Sequence, residues 1–230
     1  TAMGAAEGIL DSDVGPVEPT SVLQRSGLTG VPTTTVVSEW WPTFRRQFPR
    51  CLVSASDFAG FFGTALRASS DDAKLAEQSD EALHRAFASF ENQSCGLLDG
   101  LELFAALTLL SRGKVEAKVV FIIDLFDFGG RSALGRDAFG LLVERVASGM
   151  KKSCSCLGIH IPVDLPQAMA ARLFHGRGAE GEMSVADLQD WWCRSLLVRR
   201  CLRRFVHSAD EEAGLPDEDE WHDEEYPGVL

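Results

Sequence analysis

The chain has 230 residues, a formal net charge of −12, 45% hydrophobic residues and 24% charged residues. This length and composition predict a protein that buries a hydrophobic core, either as one domain or as two small lobes. Ten acidic residues and no lysine or arginine lie within 208–230, which leaves a net charge of −2 for the rest of the chain. A near-neutral body gives little support to nucleic-acid binding through a basic surface. No run of about 18 apolar residues occurs, so no transmembrane segment is predicted.

Residues 1–38 predict an extended or disordered N-terminal arm. They are rich in Gly, Pro, Thr, Ser and Val and show no helical period. The alternative is an arm that becomes ordered along a partner.

From Ser38 onward, apolar residues recur at helical spacing, which predicts helices that face a core. Ser54 with Asp57 three residues later predicts a helix start. The apolar stripes on either side of that start are Trp41, Phe44 and Phe48, then Phe58, Phe61, Phe62 and Ala65.

Two further helix–loop–helix units follow between Leu83 and Val146. Each has two apolar stripes separated by twelve residues, Glu91–Glu102 in one unit and Asp127–Ala138 in the other. Two such pairs with the same gap form an internal repeat. The stripes are Leu83, Ala86, Phe87 and Phe90; Leu103, Ala106, Leu107 and Leu110; Val119, Ile122, Ile123 and Phe126; and Phe139, Leu142, Val143 and Val146.

This repeat resembles the EF-hand family, whose twelve-residue loop holds calcium between two amphipathic helices. The linker SRGKVEAK between the units is similar to that of the neuronal calcium sensor, calcineurin B-like and calaxin-like branch. The resemblance implies an all-α fold of paired EF-hand units in two lobes. We therefore expect an N-terminal pair at 39–112, a C-terminal pair at 113–207 and a flexible acidic tail at 208–230.

No bound metal is the main expectation, and the second loop is the one loop where calcium binding is possible. Glu91 is its first residue, Gly96 stands at the turn and Leu98 is the apolar eighth residue. However, Glu is long for the first position, and the Cys95 thiol at the fifth is a poor calcium ligand. The candidate metal ligands that the resemblance implies are Glu91, Gln93, Leu97, Asp99 and Glu102.

The first and third loops lack most of the ligands that calcium requires, although Asp127 stands first in the third loop. In the first, Arg46 and Arg50 stand where carboxylates are expected, so this unit is predicted to supply helices without metal. In the third, Arg131 stands at the fifth position and Ala138 at the closing position. We expect the Arg131 guanidinium to fill the vacant cavity and to bond the loop carbonyls.

The last unit fits the EF-hand frame loosely, with Gly176 first and Asp187 closing. Ending its entering helix at Leu173 implies one or two inserted loop residues. The weaker metal candidates are Glu180, Glu182, Ser184 and Asp187.

Neither catalysis nor a resident cofactor is predicted. No Ser-His-Asp spacing, phosphate-binding Gly loop or HExxH occurs, and the five histidines are scattered. Cys154, Cys156 and His160 lack the second ligand pair of a structural zinc site, so a plain loop is favoured. The six cysteines show no disulfide framework, which favours an intracellular, reducing compartment, cytoplasmic, cytoskeletal or organellar, with a cleaved presequence left open.

The expected function is therefore non-catalytic protein interaction, as a constitutive structural or accessory subunit of a larger assembly with calcium binding largely lost. The expected partner is an amphipathic helix or the subunits of a large complex. The alternative is a weak calcium or magnesium sensor that regulates a partner through the second loop. The candidate groove residues are Phe87, Phe90, Leu103, Leu107, Leu110, Ile122, Phe126, Phe139, Leu142, Trp191 and Trp192.

Overall fold

The computed structural model describes residues 22–69, 73–91, 95–153, 165–175 and 181–194. These residues form an all-α fold with two short two-stranded ladders, which confirms the predicted fold class. The acidic tail, Cys154, Cys156, His160, Gln93 and Glu180 lie outside the described residues.

The helices follow the order that the apolar stripes predict. After α1 (Val22–Arg25), the long helix α2 consists of Thr33–Thr35, the π-helical turn Val36–Trp40 and Trp41–Gln47. The remaining helices are α3 (Ala55–Ser69), α4 (Ala73–Phe90), α5 (Gly100–Leu110), α6 (Val115–Phe126), α7 (Arg136–Ser153), α8 (Leu165–Leu173) and α9 (Val185–Arg194).

Each ladder joins two helix–loop–helix units. Strand β1 (Leu52–Val53) pairs antiparallel with β2 (Leu98–Asp99), so the α2–α3 and α4–α5 units form the first pair. Strand β3 (Ala133–Gly135) pairs antiparallel with β4 (Glu182–Ser184), so the α6–α7 and α8–α9 units form the second.

Helix α5 is buried along most of its length, because it is apolar around most of its circumference. The Phe104 ring lies 4.8 Å from that of Phe44 and 5.0 Å from that of Trp41. Trp41 in turn contacts Phe121 of α6, at 6.3 Å between ring centroids. The apolar side chains of both pairs therefore belong to one continuous core.

The start of α3 confirms the helix start read from Ser54 and Asp57. The Asp57 amide donates to Ser54 Oγ at 3.3 Å, and the Ser54 amide donates to Asp57 Oδ2 at 3.4 Å. This reciprocal pair satisfies two backbone donors at the helix start that have no partner within the helix.

The prediction of an extended or disordered arm was wrong for residues 22–38. Leu23, Leu28 and Val36 are fully buried in the core. The Thr33 amide donates to the Arg112 carbonyl at 2.7 Å, and the Arg112 amide donates to the Val31 carbonyl at 2.9 Å. This segment is ordered because burial of its apolar side chains and contact with the linker between the pairs offset the entropy of fixing it.

Candidate functional site

The described parts of the four loops keep the EF-hand backbone frame. The eighth residues of the first two loops, Val53 and Leu98, lie opposite each other in the first ladder. The sixth residues of the first three loops have left-handed backbone angles, with φ of 54° at Cys51, 71° at Gly96 and 53° at Ser132. Thus two loops make the required turn without the glycine that usually occupies it.

In the second loop, the first carboxylate is bound by the loop itself. Glu91 Oε1 accepts a hydrogen bond from the Gly96 amide at 2.7 Å. The Cys95 thiol donates to the Leu97 carbonyl at 3.7 Å, and that carbonyl is the backbone oxygen that an EF-hand gives to calcium. Two of the candidate ligands, the Glu91 carboxylate and the Leu97 carbonyl, therefore already accept hydrogen bonds from the protein.

Asp99 serves as the N-cap of α5 and as the partner of an arginine. Its Oδ1 accepts from the Leu101 amide at 2.9 Å, and its Oδ2 lies 3.1 Å from Arg145 Nε. A carboxylate is favoured at the N-cap position, because it accepts a hydrogen bond from an amide that has no partner within the helix and faces the positive end of the helix dipole.

Glu102, the closing residue of the second loop, is held by α7. Its side chain is 1% exposed, and Lys152 Nζ lies 2.9 Å from Oε1 and 3.1 Å from Oε2. Ser148 Oγ donates to Oε1 at 2.7 Å, and Lys152 also donates to the Phe90 carbonyl at 3.0 Å, at the C-terminal end of α4. A buried carboxylate needs such donors, because a charge without a partner in the core is strongly unfavourable.

These donors form a stripe on one face of α7. Arg145, Ser148 and Lys152 recur at i, i+3 and i+7, and Gly149 lies among them. A Cβ at Gly149 would lie 2.7 Å from the Glu102 carbonyl, so the glycine allows α7 to lie close against α5. Sequence reasoning missed this stripe, although its spacing was present in the printed sequence.

The second loop as folded does not fit a calcium ion. Calcium requires six to eight oxygen ligands and usually a bidentate closing carboxylate. Both oxygens of Glu102 face an ammonium, Asp99 faces a guanidinium, and the fifth position offers a thiol. No group of three or more His, Cys, Asp and Glu suited to a metal occurs within the described ranges.

In the third loop, Arg131 does not fill the cavity as expected. Its guanidinium instead forms an ion pair with Glu182 of the fourth loop, at 2.7 Å. Asp127 accepts from the Arg131 amide at 3.1 Å and from the Ser132 amide at 2.7 Å, which fixes the turn. Burial, followed by repulsion from Asp127, raises the pKa of the nearby Asp124 carboxyl.

In the fourth loop, the described metal candidates are exposed. Glu182 holds Arg131, and Ser184 Oγ accepts from the Asp187 amide at 3.0 Å at the start of α9. The structure therefore places Ser184 as a helix cap, and it shows Glu182 and Asp187 on the surface.

The candidate groove residues lie inside the protein. Leu110 and Trp191 are partly buried, and the other nine are buried in the core. Among the described residues, the large apolar side chains at the surface are Leu52, Leu97, Val120 and Phe128. Also within that part of the chain, no helix has the length and apolar character needed to cross a membrane.

Comparison with known proteins gives relatives of modest identity, and no family model matches the chain. Guanylyl cyclase-activating protein 2 of Gallus gallus is 26% identical over 174 residues, which are 74% of this chain and 83% of that protein. The protein of the same name from Lithobates pipiens is 25% identical over 173 residues, with the same shares. Guanylyl cyclase inhibitory protein of Lithobates pipiens is 28% identical over 98 residues, 43% of this chain and 44% of that protein. With its paired loops, short ladders and these similarities, the chain resembles EF-hand proteins of the neuronal calcium sensor branch.

Proposed function

We propose that this protein is a non-catalytic EF-hand protein that binds a partner protein constitutively and regulates it, with calcium binding largely lost. The observation that carries this proposal is the state of the second loop, in which each described acidic candidate already holds a donor from the protein. Glu91 accepts from Gly96, Asp99 binds Arg145 and Glu102 binds Lys152. The third loop supports the same conclusion, since Ala138 supplies no closing carboxylate.

The similarities favour a guanylyl cyclase as the partner class, because the relatives are named for activating or inhibiting that enzyme. The composition favours a fixed partner. Promiscuous binders use flexible methionine-rich surfaces, whereas this chain has four Met and fourteen Phe, many of the latter in the core. The mode of contact that we propose is an amphipathic helix or an assembled subunit surface on the partner.

The second candidate function is a weak calcium or magnesium sensor that acts through residues 91–102. One observation favours it. The loop keeps the turn of a binding loop, with Gly96 at φ of 71°. A divalent ion would then have to displace the donors from Asp99 and Glu102.

The test is cyclic GMP production by a guanylyl cyclase in the presence of the purified full chain, measured in calcium and in chelator. We expect the chain to change the rate equally in both conditions and to co-purify with the cyclase in chelator. No rate change and no co-purification would reject the cyclase as the partner class. A rate change in only one of the two conditions would reject constitutive action and favour the sensor.

A further inference from the structure

We propose that the Lys152 ammonium is the built-in cation of the second EF-hand and takes the place of a divalent ion at the closing carboxylate Glu102. This inference deepens the calcium independence in the proposed function, and it does not depend on which partner the protein binds.

The first step is the position of the charge. Lys152 Nζ lies 2.9 Å and 3.1 Å from the two oxygens of Glu102, so a single cation contacts both ends of the carboxylate. A bidentate closing Glu makes the same two contacts with calcium. The ammonium also donates a hydrogen bond to the Phe90 carbonyl, 3.0 Å away, where the entering helix of the second unit ends. One positive charge thus joins both helices of the second unit.

The second step is burial. The Glu102 side chain is 1% exposed and that of Lys152 is 20% exposed, so this pair is little screened by solvent. Ser148 Oγ adds a hydrogen bond of 2.7 Å to Glu102. Without the ammonium, the carboxylate would be a buried charge whose remaining described partner is a hydroxyl, and it would need another cation.

The third step is that Lys152 comes from a different helix–loop–helix unit than Glu102. Lys152 belongs to α7, the exiting helix of the third unit, whereas Glu102 and Phe90 belong to the second unit. A divalent ion in the second loop would be held within one unit. The lysine instead connects the two pairs, and Gly149 provides the close α5–α7 contact that brings it within reach. The charge of the second loop and the packing of the pairs are therefore set by the same side chain.

The test compares the melting temperatures of full-chain variants in chelator and in millimolar calcium. The decisive variant is Lys152→Met, which keeps an apolar stem and removes the charge. Its matched control is Lys151→Met, the exposed neighbour on the same helix. We expect the wild type and the control to melt at the same temperature in both conditions. Lys152→Met should melt about 10 °C lower in chelator, and calcium should restore much of that loss.

The double variant Lys152→Met with Glu102→Gln separates charge from packing. We expect it to recover stability in chelator and to lose the response to calcium. If Lys152→Met does not fold in chelator, its refolding yield with and without calcium gives the same comparison, and Ser148→Ala provides a milder loss of one donor.

Three results would overturn the proposal. One is a Lys152→Met variant as stable as the wild type in chelator. Another is a loss of stability that calcium does not restore, because the pair would then be an ordinary buried ion pair. The third is a wild type whose melting temperature rises with calcium and loses that rise in Glu102→Gln. A failed cyclase assay would leave this proposal standing, because the melting experiment contains no partner.

Discussion

Leu134 of the third loop and Met183 of the fourth lie opposite each other in the β3–β4 ladder, and both side chains are buried. Each is the eighth residue of its twelve-residue frame. Helix α8 ends at Leu173, as the sequence predicts. The ladder therefore holds the fourth loop in register even though two residues, Phe174 and His175, lie between that helix and the first position of the loop frame.

Replacing Leu134 with Ala should destabilise the protein by about 2–5 kcal/mol, because it removes a buried side chain from the contact between the two loops. Equilibrium unfolding in urea measures the change. Val120→Ala is the matched control, since Val120 lies on the surface of α6 and its loss should change stability by less than about 0.5 kcal/mol. Equal effects of the two changes would contradict the role of the ladder.

Ser132→Gly should stabilise the protein by about 0.5–1 kcal/mol, because glycine adopts the left-handed angle without strain and its greater entropy loss offsets part of the gain. The Ser132 side chain is exposed, and the described hydrogen bonds of this residue are made by its backbone, with Asp127 and Val185. Thermal unfolding measures the effect. Ser132→Ala should show no such gain, and a gain of equal size there would exclude relief of strain as the cause.

Gly100→Ala should destabilise the protein by about 1–3 kcal/mol, because the added methyl overpacks the core. Its Cβ would lie 2.5 Å from the Phe44 ring and 3.1 Å from the Cys51 carbonyl. Gly140→Ala in α7 has no atom within 4 Å and should stabilise by about 0.5–1 kcal/mol through helix propensity. Denaturant unfolding of the two variants should give shifts of opposite sign.

Cys51 and Cys95, whose side chains the structure describes, should differ in reactivity toward maleimide. Burial raises the pKa of the half-buried Cys51 thiol, with a smaller lowering effect from Arg45, so less thiolate is present near neutral pH. Cys95 is exposed. Mass spectrometry of the native protein should show faster labelling of Cys95, and labelling after denaturation should remove the difference. Faster labelling of native Cys51 would contradict the burial seen here.

Asp124→Asn should stabilise the protein at neutral pH more than in acid. The pKa of Asp124 is raised by burial and by Asp127, so the folded protein binds more protons than the unfolded chain in mildly acidic solution. The stability of the wild type therefore falls as pH rises through that window, and Asn removes this contribution. The free energy of unfolding of wild type and variant, measured across the acid range, tests this prediction. The same pH dependence in both proteins would exclude the effect.

The helices and loop frames could be predicted because their signals are local. The apolar stripes around Phe87 and Ile122 repeat at helical spacing, and each loop frame is counted within twelve residues. The N-terminal segment could not be predicted in this way. Its buried residues Leu23, Leu28 and Val31 follow no helical period, and their burial depends on contacts with helices far along the chain.

The cation at Glu102 was missed for a related reason. Glu102 and Lys152 are fifty residues apart, and their contact depends on how α7 lies over α5. The ligand positions of the second loop could be counted from the sequence, but the partners of those ligands could not. The helical spacing of Arg145, Ser148 and Lys152 is a local signal in the sequence that could have indicated these partners.

The contact between residues 31–33 and the linker has a consequence for the design of fragments. Val31 and Thr33 pair through their backbones with Arg112, and the Thr33 hydroxyl lies 2.7 Å from that of Ser111. A fragment that begins at Glu39 would lose both backbone hydrogen bonds and would expose the surfaces that Leu23 and Leu28 cover. The shortest unit that keeps the junction of the pairs intact therefore starts upstream of Leu23.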